Sequence, residues 1–125
     1  MLTRLILTSL MVVLFAGAAL AGVRDISSRD AKPLLEKDAG IFILDVRTPW
    51  ENRQGRLART VLIPFNELGQ RLNEIPKNRP VLVYCMVGSR SKQAADYLAR
   101  QGYTTIYNLS DGIFGWYRNG YPIQR

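Results

Sequence analysis

The chain has 125 residues, a formal net charge of +7, one cysteine and no histidine, and 47% of its side chains are hydrophobic against 22% charged. That length gives room for one small domain with a single core, and the composition excludes disordered and fibrous classes. The missing imidazole excludes Cys–His proteases, His-ligated metal sites and His general bases, and a lone Cys excludes an internal disulfide.

Residues 1–21, MLTRLILTSLMVVLFAGAALA, carry one charged side chain, Arg4, followed by an uncharged stretch that closes on Ala19-Leu20-Ala21. A basic start, an apolar middle and small residues two apart are the layout of a secretory signal peptide cut after Ala21. The alternative is an uncleaved inner-membrane anchor, since Leu5–Ala21 is just long enough to span a bilayer; the small-residue ending favours cleavage. No Cys follows Ala21, so lipidation there is excluded. The expectation is a periplasmic protein with one domain over residues 22–125. That part carries 16 Lys+Arg against 10 Asp+Glu, or +6. Its basic residues are scattered rather than gathered in a run, which argues against nucleic acid and for small anionic substrates and anionic membrane surfaces.

Along residues 22–125, Ser27 stands three residues before Asp30, a helix-start pattern. Ala31, Leu34 and Leu35 then give an apolar face that stops at Gly40, and Pro33 is expected to bend or restart the helix. IFILDV (41–46), VLIP (61–64) and VLVYC (81–85) are short apolar runs of the kind buried on both faces of a sheet. NELGQRLNEI predicts a helix capped by Asn66, with Leu68, Leu72 and Ile75 on one side and a cost from Gly69. SKQAADYLARQG sets Ala94, Ala95, Leu98 and Ala99 on one face and stops at Gly102. YTTIYNL (103–109) predicts a fourth strand, and GIFGWYRNG a last short helix ending at Gly120. Buried strands alternating with helices predict an α/β fold, a small and mainly parallel sheet with helices on both sides. Ligands bind such sheets at the carboxyl ends of strands, where Cys85 lies.

Between that strand and the next helix runs Cys85-Met86-Val87-Gly88-Ser89-Arg90. Successive amides in such a loop can curl around the sulfur or an anion beside it. Gly88 supplies the backbone freedom, Ser89 a hydroxyl and Arg90 a fixed charge. A helix N-terminus, an amide nest and a cation all favour thiolate over thiol and so make a nucleophile. The competing reading, that Cys85 is a small apolar residue ending a core strand, is weakened by Gly and Arg at these offsets.

These segments together resemble the single-domain rhodaneses, sulfurtransferases that pass a sulfur through a cysteine persulfide. LDVRTPWENRQGRLART with the following VLIPFNEL (44–68) is similar to the family's first signature, VLVYCMVGSRS to its active-site strand and loop, and LSDGIFGWYRNGYP (109–122) to its closing segment. An exported single-domain version looks like the periplasmic thiosulfate sulfurtransferases of the phage-shock type. The resemblance implies a rhodanese-like fold, Cys85 as sulfur-accepting nucleophile, and the amides of Met86, Val87, Gly88, Ser89 and Arg90 as the anion-binding cradle. It implies that the Arg90 side chain helps hold the sulfonate of thiosulfate. Asp45 and Arg47 would be a supporting ion pair beside the pocket, Glu51 a brace for Arg47, and Trp116 a core anchor. Arg56 and Arg59 stand where the family usually has His and Gly, which alters surface charge rather than fold. Met86 and Val87 are apolar where strong thiosulfate enzymes carry a basic side chain, a wall that suits a less charged donor such as a persulfide.

The expected reaction moves a sulfane sulfur from thiosulfate or a persulfide to cyanide, a thiol or a sulfur-accepting protein, with no metal or organic cofactor. Two other classes compete. A carrier or docking module on the same fold would load sulfur but turn over slowly. A rhodanese-like phosphatase or arsenate reductase would have five residues between Cys and Arg, not the four found here, and the reductase a second Cys.

Overall fold

The computed structural model describes residues 22–125, so the expected leader lies outside the described residues. Five strands, β1 (Gly22–Ile26), β2 (Phe42–Asp45), β3 (Thr60–Leu62), β4 (Val81–Tyr84) and β5 (Thr105–Leu109), form one sheet in the order β1-β5-β4-β2-β3. Every pairing is parallel. Four α-helices accompany them: α1 (Ser28–Lys37), α2 (Pro49–Gln54), α3 (Ser89–Arg100) and α4 (Gly112–Arg118).

Because side chains alternate across a strand, the sheet divides the apolar residues into two cores. Val81, Val83 and Cys85 of the central strand and the turn that follows it point to one face, where Ala94, Ala95 and Leu98 of α3 cover them. Leu82 and Tyr84 point to the other, against Ala31 and Leu35 of α1 and Ile113 and Trp116 of α4. This is the helices-on-both-sides α/β architecture expected from the continuous apolar runs. The connections leaving β4 and β2 diverge to opposite sides, so their adjacent carboxyl ends flank a crevice at the switch point of the sheet.

Four local expectations change. β1 was not predicted: GVRDI has no apolar run because it is an edge strand, paired to β5 alone and mostly exposed. α2 was not predicted either, although Thr48, Pro49 and Glu51 spell a capping box with Pro at the start; no residue of it is buried, so no apolar face announced it. The segment after Pro64 forms two short 3-10 helices, Phe65–Gln70 and Leu72–Glu74, in place of an α-helix, and Asn66 lies inside the first rather than capping it. Gly69 in the middle and Pro76 just beyond leave too little good helix former between them, yet Leu68 and Ile75 still reach the core. Finally, α1 runs on through Pro33 without restarting, the proline sitting on its exposed side where water can satisfy the carbonyl of Arg29. Ser27 caps the helix as expected, accepting from the Asp30 amide at 3.3 Å.

Arg59 is the one non-glycine residue at positive φ among the described residues, at 60°. Its guanidinium donates to the carbonyls of Ala39 at 3.2 Å and Leu35 at 3.4 Å, so it places positive charge on the carboxyl end of α1. The side chain thus offsets backbone strain that glycine would not have. Arg59→Ala keeps the strain and loses the cap, and is expected to be the least stable of the three proteins in denaturant unfolding. Arg59→Gly should recover about 1 kcal/mol relative to it.

Candidate active site

Cys85 follows the last residue of β4 and is fully buried, with 0% of its surface exposed. Its Sγ accepts from the amides of Gly88 at 3.2 Å and Ser91 at 3.3 Å. Ser91 is the third residue of α3, the amide a capping side chain ordinarily satisfies. Gly88, the residue at the cap position, has no side chain to do so, and the sulfur of Cys85 takes that place. Burial opposes ionisation of this thiol. The hydroxyl and amide of Ser91 and the amides of Gly88 and Val87 outweigh that burial and draw the thiol below the ordinary cysteine range.

Backbone bonds from α4 fix the loop from behind. The amides of Ile113 and Phe114, at the start of α4, donate to the carbonyls of Cys85 at 3.0 Å and Met86 at 3.1 Å. Two glycines make that approach possible. Gly88 has φ 101° and lies against the Ser110 carbonyl, and Gly112 has φ 63° and lies against the Met86 carbonyl, so neither place has room for a Cβ. Asp111 steadies the base of α4 by accepting from the amide and hydroxyl of Ser28 at 3.0 and 2.8 Å, which also caps α1.

The structure brings Asp45 and Arg47 together as a buried pair. Asp45 accepts from Arg47 Nε at 2.9 Å, Nη2 at 2.8 Å and the backbone amide at 2.9 Å. It accepts further from Asn52 at 3.0 Å and the Tyr84 hydroxyl at 3.2 Å. Arg47 also donates to the Gly55 carbonyl at 2.7 Å, so every polar group of the pair is engaged inward. The arrangement closes the loop from β2 through α2 as a buried ion pair. Burial pushes the Tyr84 hydroxyl up to about 12, the neighbouring Asp45 carboxylate adding to it, so it stays a neutral donor.

Glu51 and Arg90 depart from expectation. The Glu51 carboxylate does not brace Arg47, which touches only its backbone carbonyl at 3.3 Å. It binds Arg90 through two bonds of 2.8 Å each while holding the Thr48 cap of α2. The guanidinium expected to face an anion is therefore already engaged, by a residue from another helix that no local pattern could link to it. Hydrogen bonding from Arg90 outweighs the burial that opposes it and brings the Glu51 carboxyl down to about 2. Since that lies below the ordinary value of about 4.3, the pair's stabilisation is complete above pH ~4.3 and is lost as pH falls through about 2.

Of the remaining predicted cradle residues, Met86, Val87 and Ser89 are exposed at the mouth of the loop. Beside Met86 runs a mostly apolar groove whose walls include Trp50, Phe114 and Tyr117. These aromatics are unusually open, Trp50 at 63% and Tyr117 at 60%. Sequence reading missed them, because only the fold carries α2 and α4 to the rim of the Cys85 loop. It also missed Ser91, though its place immediately after Arg90 at the head of a helix was a usable signal. Trp116 is core as expected, its Nε1 donating to the Pro122 carbonyl at 2.9 Å. Because the Asp45–Arg47 pair is dry, Asp45→Ala strands a buried cation. Its expected loss is about 3–5 kcal/mol in denaturant unfolding, whereas a surface carboxylate such as Glu36 should show almost none when truncated.

A thiol on a strand end, ringed by amides and drawn toward its anion, can attack an electrophilic sulfur and hold the product's charge. The chain is similar to several known proteins. Over 101 residues the chain is 40% identical to a sulfurtransferase of Allochromatium vinosum, covering 81% of this chain and 94% of that one. It is 31% identical over 88 residues to the tRNA uridine(34) hydroxylase of Pelagibacter ubique, 68% of this chain but only 29% of that protein. The crystal structure of a rhodanese-related protein from Thermoplasma volcanium superposes with a TM-score of 0.72 at 28% identity, covering 81% of this chain and 97% of that one. The family model described as a rhodanese-like domain matches residues 27–119, and with this fold and this loop the chain belongs to the rhodanese-like family.

Proposed function

We propose that this protein is an exported sulfurtransferase that carries sulfane sulfur as a persulfide on Cys85. The observation that carries the reading is the convergence of the Gly88 and Ser91 amides on a buried, acidified sulfur at the head of α3. In the first half-reaction the Cys85 thiolate attacks the outer sulfur of thiosulfate. The S–S bond of the donor breaks, its electron pair leaves with sulfite, and Cys85 is left as a persulfide anion. In the second, cyanide or a thiolate attacks the outer sulfur, the persulfide S–S bond breaks, and the electron pair returns to Cys85 as thiolate. The Gly88 and Ser91 amides that face Sγ stabilise the thiolate with which the cycle begins and ends.

Thiosulfate is a demanding donor for this loop. Arg90 is pinned by Glu51, and Met86 and Val87 present apolar surface, so a persulfide donor with less charge to desolvate suits the mouth better. Sulfur transfer to or from a thiol is therefore the reading preferred for physiological turnover, with thiosulfate as an accepted donor. The carrier reading keeps its force from the open rim of Trp50, Phe114 and Tyr117.

Intact mass before and after thiosulfate tests the chemistry. A gain of one sulfur atom, reversed by cyanide and missing from Cys85→Ser, is expected; a gain that survives in the variant would sink the Cys85 mechanism. Loading without turnover on cyanide or thiols would select the carrier. Steady-state kinetics test the role of Arg90: Glu51→Gln should release it and lower KM for thiosulfate by about 3–10-fold, in keeping with one freed charge-assisted contact. Adding Arg90→Ala should cancel the gain. No change in KM from Glu51→Gln would show that Arg90 takes no part in donor binding.

A further inference from the structure

Behind Cys85 a chain of buried polar groups runs away from the mouth of the loop. The Cys85 Sγ and the Ser91 hydroxyl are 3.3 Å apart, the Ser91 hydroxyl and Asn108 Oδ1 2.6 Å, and Asn108 Nδ2 lies 3.0 Å from an Asp25 carboxylate oxygen. Ser91 is 0% and Asn108 3% exposed. The orientation of every group is decided by chemistry. Asn108 Nδ2 faces two acceptors, Asp25 and the Gly88 carbonyl at 3.4 Å, so its amide oxygen must face Ser91. An amide oxygen only accepts, so Ser91 must donate to it. Ser91 Oγ is then left as an acceptor, and the bond to Cys85 is complete only when Cys85 is the donor, that is, a thiol.

Ionisation breaks this arrangement. The thiol proton passes to water, and Sγ becomes an acceptor facing a hydroxyl whose only proton is held by Asn108. Ser91 can serve the thiolate by turning that proton from Asn108 to Sγ, which abandons a short buried bond and leaves the amide oxygen unpaired. Once a persulfide forms, the negative charge sits on the outer sulfur and the demand on Ser91 ends. We infer that Asn108 is a positioning residue that competes with the Cys85 thiolate for the Ser91 proton, and so biases the site against the free thiolate and toward the thiol or the sulfur-loaded state. Asn108 is no base, so the chain conveys orientation and not a proton. Of the other charged groups about the loop, Arg90 pairs with Glu51, Arg47 with Asp45 and Asp111 is turned to Ser28, while Arg125 lies on the wall of the groove beside Met86. Asp25, half of its bond exposed at the edge strand, reaches the sulfur only through Asn108.

The inference deepens the proposed function, and rests on it only for the effect on turnover. Its test is the pH titration of thiolate ultraviolet absorbance in the donor-free protein. Ser91→Ala should raise the midpoint by about one unit. Asn108→Val, apolar and suited to a strand, should lower it by about half a unit, the opposite direction, because the freed hydroxyl then serves the sulfur. In the Ser91→Ala background Asn108→Val should have no effect. An Asn108→Val midpoint that rises, or that shifts equally with and without Ser91, would overturn the inference. Asp25→Ala, at the exposed end of the chain, covers the case in which Asn108→Val does not fold: a smaller downward shift that vanishes in Ser91→Ala supports the competition, and one that persists is bulk electrostatics and rejects it. Intact mass with thiosulfate separates the two readings. A sulfur gain with no Ser91-dependent shift rejects the relay and leaves the sulfurtransferase standing, and the shift without a sulfur gain does the reverse.

Discussion

The sulfur of Cys85 does the work of a helix cap. α3 begins at a glycine that has no side chain for the first-turn amides, and those amides close on Sγ instead. Folding of β4 onto α3 and acidification of the thiol are therefore one interaction seen from two sides. The helix needs an acceptor at its N-terminus and the reaction needs donors at its nucleophile. It follows that the site cannot be loosened without loosening the junction between the central strand and its helix.

The rest of the molecule holds that junction still. The two apolar cores fix β4 on both faces, so its carboxyl end has no freedom to tilt. The first amides of α4 take the carbonyls of Cys85 and Met86, which leaves the loop's amides free to face inward. Asp45 and Arg47 tie the neighbouring strand end to α2. Because both are buried, their value lies in geometry more than in net stability, since desolvation absorbs much of what a buried pair gains.

Charge around the mouth is unusually self-contained. Arg47 and Arg90 are already matched by carboxylates, and the exposed surface beside the thiol is largely aromatic and aliphatic. A net positive chain can still draw anions to its neighbourhood. On the proposed function, recognition at the loop would rest on amide dipoles and apolar contact, a combination suited to donors with an exposed sulfur and little charge to desolvate.

Much of this was legible in the chain itself. β2 and β4 show as apolar runs because a parallel strand buried on both faces must be apolar throughout, and Cys85-x-x-Gly-x-Arg announced a cradle because a thiol, a permissive glycine and a helix start have few other uses together. β1 was hidden because an edge strand needs little burial, and α2 because a surface helix needs none. Which partner each charged side chain would take was beyond any local pattern. Glu51 and Arg90 are 39 residues apart, and Asn108 and Asp25 83, so their pairing exists only once the sheet order is set. Residue type and short-range spacing determined that there would be a cysteine at an α/β strand end, at the head of a helix. The tertiary structure alone decided that Arg90 would pair with Glu51 and that the buried Asn108 amide would meet the Ser91 hydroxyl beside the sulfur, because hydrogen-bond partners are chosen by distance in space and not along the chain.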